Sequence, residues 1–353
     1  MDVSVRSEHS NASDEVAGDA METGSRSRVA IACQGGGSHT AFSSGVLQEL
    51  LGDLPGDAEI VGISGTSGGA ICAAIAWDGL VRGEPEAAAV KLRRFWGEVA
   101  ARDPLDKLLN EALLASIRLR DHMAFPEVSP YLLPTWGEER FLQLLRDHLD
   151  FAELRRLAGR PGAPALHIGA VEILTGHFEV FEGHELTAEC LLASAAIPQL
   201  FRAVRIEGKG TYWDGLFSQN PPIHDLPHLN INELWVIQIN PSTCPRVPTQ
   251  THEIIDRQNE LSGNLSMEQE LRQIEMLNRL IARRAITDPR FHPIDVRRIA
   301  LDRDLDYSTK LDRWPSFLEE LSEYGRTKAR RFLGERRDRS EAVAAPAAGG
   351  PSA

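Results

Sequence analysis

Short, uniformly apolar runs alternate along the chain with longer stretches whose apolar residues recur every three or four positions, and glycines separate the two textures. "RVAIAC" (28–33) and "EIVGIS" (59–64) are of the first kind and predict buried strands. After the first comes "TAFSSGVLQEL", with Phe42, Val46, Leu47 and Leu50 at helical spacing; after the second comes a helical run over 68–80. Strand, glycine turn and helix, twice in succession, predict a mostly parallel sheet sandwiched by helices. Helical spacing continues over 84–118 and 137–158. "ALHIGAVEI" (165–173) and "HFEVFEG" (177–183) predict adjacent strands, and "TAECLLASAAIP" (187–198) predicts a helix stopped by Pro198. "AVRIEG" and "TYW" lead to Asp214, and "LWVIQI" (234–239) predicts another buried strand. From 251 the texture turns helical, with "LRQIEMLNRLIARRAI" the clearest amphipathic run, and strand-like "FHPIDVRRIAL" follows it.

This pattern predicts one α/β domain over 28–250 and a mainly helical C-terminal extension, 251–338, packed on it. The tails, 1–27 and 339–353, lack apolar periodicity and are expected to be disordered. Between the helical stretches lies "RDHMAFPEVSPYLLPTW" (120–136), long and irregular, of the kind that is usually functional in a compact domain.

Composition narrows the function classes. The 353 residues are 42% hydrophobic and 25% charged, as in globular chains, and the net charge of −13 argues against a nucleic-acid partner. Charge is uneven: residues 279–340 hold 16 Lys and Arg against 11 Asp and Glu, a surplus of +5 that leaves −18 elsewhere. No apolar run approaches the ~20 residues of a membrane span, and the N-terminus lacks the apolar segment of a signal peptide. The cysteines (Cys33, Cys72, Cys190, Cys244) are scattered, with no CxxC pair. A soluble, cytoplasmic protein with reduced thiols is the expectation. With no HxH or HExxH spacing, neither a metal nor another cofactor is expected.

Candidate chemistry sits at the glycine turns. Ser67, in Gly65-Thr66-Ser67-Gly68-Gly69, fits GxSxG at a strand-to-helix turn, where small neighbours let a nucleophile stand on a tight backbone. The same residues would also suit an incidental turn or an anion-binding nest. Gly35-Gly36-Gly37 has Thr40 where GxGxxG needs glycine, and no P-loop Lys-Ser/Thr follows. It is either a tight turn or a set of bare N–H donors for an oxyanion. Asp214, followed by Gly215, is by itself an ordinary turn signal.

In order, "GGGSH", "GTSGGA", "ASAAIP" and "WDG" make residues from about Arg28 to the strand at 234–239 resemble the patatin-like phospholipase family. The resemblance implies a three-layer α/β/α fold, Ser67 as nucleophile, Asp214 as its dyad partner and Gly35, Gly36 and Gly37 as the oxyanion hole. It also implies phospholipid or another acyl lipid as substrate, hydrolysed through an acyl-enzyme, with transacylation as a close variant. Two positions depart from the family pattern: His39-Thr40 stands where Arg or Lys then Gly is usual, and Leu216 where Gly or Ala is usual.

Two other readings stay open at this stage. One is an α/β-hydrolase whose Ser…Asp…His triad is completed by His224, His228, His252 or His292. The other is a catalytically silent lipid- or partner-binding module on the same fold. The 120–136 segment is either a lid facing a bilayer or a cover for the core, and the Arg-rich region either meets anionic headgroups at a peripheral membrane contact or is a solvated helix face. The sequence sets no oligomeric state.

Overall fold

The computed structural model describes residues 26–119, 128–198 and 200–344. In chain order its elements are β1 (Ser27–Cys33), α1 (Ala41–Gly52), β2 (Ala58–Thr66), α2 (Gly68–Arg82), α3 (Pro85–Val99), α4 (Pro104–Leu119), α5 (Trp136–His148) and α6 (Phe151–Ala158). There follow β3 (Ala165–Glu172), β4 (Phe178–Glu182), α7 (Ala188–Ser194), β5 (Val204–Ile206), β6 (Gly210–Asp214), β7 (Glu233–Gln238), α8 (Thr251–Ala282), β8 (Asp295–Ala300) and α9 (Pro315–Ala344).

The strands make one mixed sheet in the order β5-β6-β3-β2-β1-β7-β8, with β4 also pairing β3. The run β3-β2-β1-β7-β8 is parallel; β4, β5 and β6 join antiparallel at the β3 end. Alternation along β1 shows why the sheet needs two helical layers. Val29, Ile31 and Cys33 belong to a large core that includes residues of α1, α2, α3 and α9, whereas Ala30 and Ala32 belong to a smaller one with Ile223, Met267, Leu271 and Ile274. Successive side chains of a strand point to opposite faces, so a strand apolar at every position is stable only when both faces are covered. The predicted layered α/β fold and helical C-terminal region are therefore present.

Several expected boundaries move, each for a local reason. The stretch 84–118 is two helices, because Pro104 opens α4 at the position where its missing N–H is no loss. The predicted 187–198 helix stops at Ser194, and the Ala196 carbonyl beyond it accepts the Asp214 N–H (3.1 Å). Ser27 already pairs in β1, and its hydroxyl donates to Glu233 (2.8 Å). Strand-like 291–301 becomes β8, a parallel neighbour of β7, so the C-terminal region adds an edge strand as well as helices. At the other end α9 runs on to Ala344, past the expected boundary at 339. The remainder of both expected tails, 1–25 and 345–353, lies outside the described residues.

Candidate active site

β2 ends at Thr66 and α2 begins at Gly68, so Ser67 alone makes the turn. It does so at φ 56° and ψ −130°. Left-handed backbone on a residue with a Cβ costs about 1–3 kcal/mol and persists only where neighbours impose it. The Ser67 N–H donates to Ser194 Oγ (2.9 Å), and that hydroxyl donates to the Gly169 carbonyl of β3 (2.6 Å). The Ser67 carbonyl accepts from Ala70 (3.0 Å) and Ile71 (3.3 Å), the first bonds of α2.

The glycine loop leaves β1 directly beside this turn. A Cβ on Gly35 would lie 2.8 Å from Ser67 Cβ, so only glycine lets the loop pass. Gly37, at φ 58°, opens a short 3-10 helix, Gly37–Thr40, that leads into α1. Of the three amides expected to face an oxyanion, one is already committed: the Gly35 N–H donates to Asn220 Oδ1 (2.7 Å). Among the described residues the N–H groups of Gly36, Gly37 and Gly68 meet no acceptor.

Asp214 is the last residue of β6, and the carboxyl is buried at 1% exposure. Its Oδ1 accepts the Leu216 N–H (2.8 Å), and the Ser67 side chain stands near enough to favour the ionised carboxyl. Burial pushes the carboxyl up from 3.8 to about 7, against the opposing pull of those two groups. Leu216 therefore supplies a main-chain donor that any residue but proline would supply, and this departure leaves the carboxyl's partner in place. The "ASAAIP" stretch grips both residues at once, Ser67 through Ser194 and Asp214 through Ala196.

The other departure changes the electrostatics. His39 is buried beside the loop, its Nε2 within 2.7 Å of the Thr309 hydroxyl. Burial and the charge of Lys310 push its pKa down to about 3, so position 39 carries no charge at neutral pH. Of the histidines weighed for a triad, His224, His228 and His292 make their contacts with groups other than Ser67 and Asp214. His224 and His228 are exposed and stack edge-on with each other, and His292 Nε2 meets the Ile231 carbonyl (2.9 Å). The side chain of His252 is outside the described residues.

Among the described residues no three His, Cys, Asp or Glu side chains converge on a point fit for a metal. A cleft of about 620 Å³ opens elsewhere, lined in part by Arg82, Lys91 and Arg146. Those cations already meet Asp78 and Glu189.

Residues 120–127 of the suspected lid, with Met123 and Phe125, lie outside the described residues. Tyr131, Leu132, Leu133 and Trp136 are exposed, so they do not cover the core, and Arg202 ties the segment down through the Leu133 carbonyl (2.6 Å). α4 exposes Leu105, Leu108 and Leu109 on one face. Its other side reaches the loop beyond the short helix at Tyr307–Leu311, where Asn110 Nδ2 donates to Asp312 (3.1 Å). In the basic C-terminal region many arginines pair with acids, as in Arg336 with Asp57 and Glu233, and Arg326 with Glu319 and Glu323. That favours paired arginines over a headgroup patch. No helix among the described residues is long and apolar enough to cross a membrane.

A family model described as patatin-like phospholipase matches residues 31–227, more than half of the chain. No curated protein matches the sequence. Among solved structures the chain is similar to VipD from Legionella pneumophila, with 13% identity, 88% of this chain and 67% of that one covered, and a TM-score of 0.36. It is also similar to a chain of the heterodimeric ExoU-SpcU complex from the type III secretion system of Pseudomonas aeruginosa, with 15% identity, 88% and 52% covered, and a TM-score of 0.32. It thus spans about half to two thirds of the length of those chains.

Proposed function

The chain belongs to the patatin-like phospholipase family, and from that premise we propose that it hydrolyses lipid acyl esters with Ser67 as nucleophile and Asp214 as base. The observation that carries this reading is the pairing of a backbone-strained serine with a buried carboxyl at a pKa of about 7. Ser67 Oγ attacks the ester carbonyl while its proton passes to Asp214, and the carbonyl oxygen becomes an oxyanion. Collapse of that intermediate expels the alcohol, which takes the proton back, and leaves an acyl-serine. Water, deprotonated by Asp214, then attacks the acyl-serine, releasing a fatty acid and restoring the hydroxyl. Transfer to another alcohol would use the same acyl-enzyme.

Magnitudes decide how the proton moves. Against a hydroxyl near ~15.7, an ordinary carboxylate near ~3.9 lies about 12 units lower, so full transfer before attack would cost on the order of 16 kcal/mol. At about 7 the gap narrows to roughly 9 units, or ~12 kcal/mol, still too large for a separate first step. Transfer therefore accompanies attack, and the charge that develops falls to the amides of Gly36 and Gly37 and to the N-terminus of α2 at Gly68. Asp214 is thus a base that burial has strengthened, and no imidazole is needed between it and the serine.

Phospholipid or another acyl lipid is the substrate class. The exposed leucines of α4 and the apolar 131–136 segment suit a peripheral contact with a lipid surface, and the buried free thiols suit work in the cytoplasm. The test is a panel of lipid classes incubated with the wild type and with Ser67→Ala, products read by mass spectrometry. Free fatty acid should appear from at least one class with the wild type alone. Equal release by both proteins, or none from any class, contradicts the proposal.

A further inference from the structure

The segment that matches the family model ends at residue 227, yet both loops that shape the site are tied to α8, which begins at Thr251. Gln34, just before the glycine loop, is fully buried. Its Oε1 accepts the N–H groups of Ile239 and Asn240, both at 2.8 Å, and its Nε2 donates to Asn264 Oδ1 (2.8 Å) and the Gly263 carbonyl (3.2 Å) on α8. Asn264 Nδ2 donates onward to the Pro241 carbonyl (3.1 Å). On the other side of the loop Asn220, also fully buried, takes the Gly35 N–H with Oδ1 and gives its own main-chain N–H to Ser266 Oγ of α8 (3.1 Å). The Glu270 carboxylate adds two more ties to this loop, from Gln219 Nε2 (2.9 Å) and the Ile223 N–H (2.7 Å).

A loop of three glycines has no side chains with which to fix itself, so its conformation must be imposed by what surrounds it. Here the imposing groups are Gln34 at its entrance and Asn220 at Gly35, and each is anchored on α8. We propose that α8 belongs to the catalytic apparatus: Asn264 and Ser266 are positioning residues that, through Gln34 and Asn220, hold the glycine loop where the Gly36 and Gly37 amides can receive the oxyanion. The proposal rests on Ser67 being the nucleophile. Donors that stabilise a transition state work only when placed before the reaction, and displacement by about 1 Å can cost on the order of 100-fold in rate. Neither Asn264 nor Ser266 touches Ser67 or Asp214 among the described contacts, so their effect on rate would pass through the loop alone.

The experiment compares wild type, Ser266→Ala, Ser266→Thr and Asn264→Ala by the second-order rate of Ser67 labelling with a fluorophosphonate. It also measures kcat and KM on a short, water-soluble ester, with Ser67→Ala as the unlabelled control. Ser266→Ala and Asn264→Ala should each lower the labelling rate and kcat by roughly 10- to 100-fold while KM stays within about threefold, the pattern of an interaction made in the transition state. Ser266→Thr, which keeps the hydroxyl, should restore most of the loss. Because Asn264 is buried and its loss could unfold the chain, the milder Ser266 pair carries the test. Folded Ser266→Ala that is labelled at the wild-type rate overturns the proposal. So does a loss shared equally between kcat and KM that Ser266→Thr fails to repair. If the wild type is labelled at Ser67 but releases no fatty acid from any lipid, the lipid-hydrolase reading fails and the positioning role of α8 stands. A wild type not labelled at Ser67 sinks both.

Discussion

Replacing Asp214 by Asn separates what the carboxyl does to the fold from what it does for the reaction. Burial raises its pKa from 3.8 to about 7, so the folded chain keeps a proton over a range in which the unfolded chain has lost it. Stability from this group is therefore complete below about pH 4 and is lost as pH rises through about 7, where the folded state must carry a buried charge. A shift of about three units corresponds to roughly 4 kcal/mol at ~1.36 kcal/mol per unit, an upper figure because the site relaxes around the charge. Asparagine is neutral throughout and can still accept the Leu216 N–H. Asp214→Asn should therefore gain on the wild type as pH rises from 5 to 9, by up to about 3 kcal/mol in denaturant unfolding because only about two of the three units fall above pH 5, while its kcat on a soluble ester falls by at least ~10³-fold. In the wild type kcat should climb with pH on a single limb centred near 7, because only the ionised carboxyl is a base. A stability difference that is flat between pH 5 and 9 would show that the carboxyl is not desolvated. A variant retaining a tenth of wild-type kcat would show that it is not the base.

Two further predictions follow from the same geometry. Ala at His224, His228, His252 and His292, one at a time, should each cost less than about tenfold in kcat, or ~1.4 kcal/mol, in steady-state assays on a soluble ester. A single one as indispensable as Ser67 would restore the triad. Changing Leu105, Leu108 and Leu109 of α4 together to Ser should lower hydrolysis of phospholipid vesicles at least ~10-fold while leaving a soluble ester within about twofold, since three exposed leucines supply apolar area only when a lipid surface covers them. Equal losses on both substrates would mean that this face serves the fold and not the lipid.

Much of the frame was legible because its signals are local. Ser67 sits where an apolar run, a glycine pair and a helical run meet within a few residues; α2 starts at the expected Gly68, while β2 runs two residues past the expected 64, to Thr66. Asp214 was legible through its place at a strand end before glycine, but its raised pKa depends on how completely the fold closes over it. What the sequence could not supply were pairings across long separations. The Gly35 amide, one of the three expected to face an oxyanion, is instead taken by Asn220, 185 positions away. Ser194 was visible as part of "ASAAIP", yet its bond to the Ser67 N–H spans 127 positions and no periodicity announces it. The helix predicted to run to Pro198 ends earlier for a similar reason, because Ala196 turns its carbonyl to Asp214. The inner face of α8 combines Asn264 and Ser266 with Met267 and Leu271, so apolar spacing placed the helix against a core without revealing that its polar residues reach the site.

The central claim is that a lipid acyl group passes through a covalent bond to Ser67. The most direct measurement is rapid mixing of wild type with a phospholipid or an activated long-chain ester, acid quench, intact-protein mass spectrometry and peptide mapping. The account predicts one acyl mass per chain on the peptide that contains Ser67, formed before free fatty acid reaches its steady rate and absent from Ser67→Ala. An acyl group on any other residue, or turnover by Ser67→Ala at the wild-type rate, would contradict it.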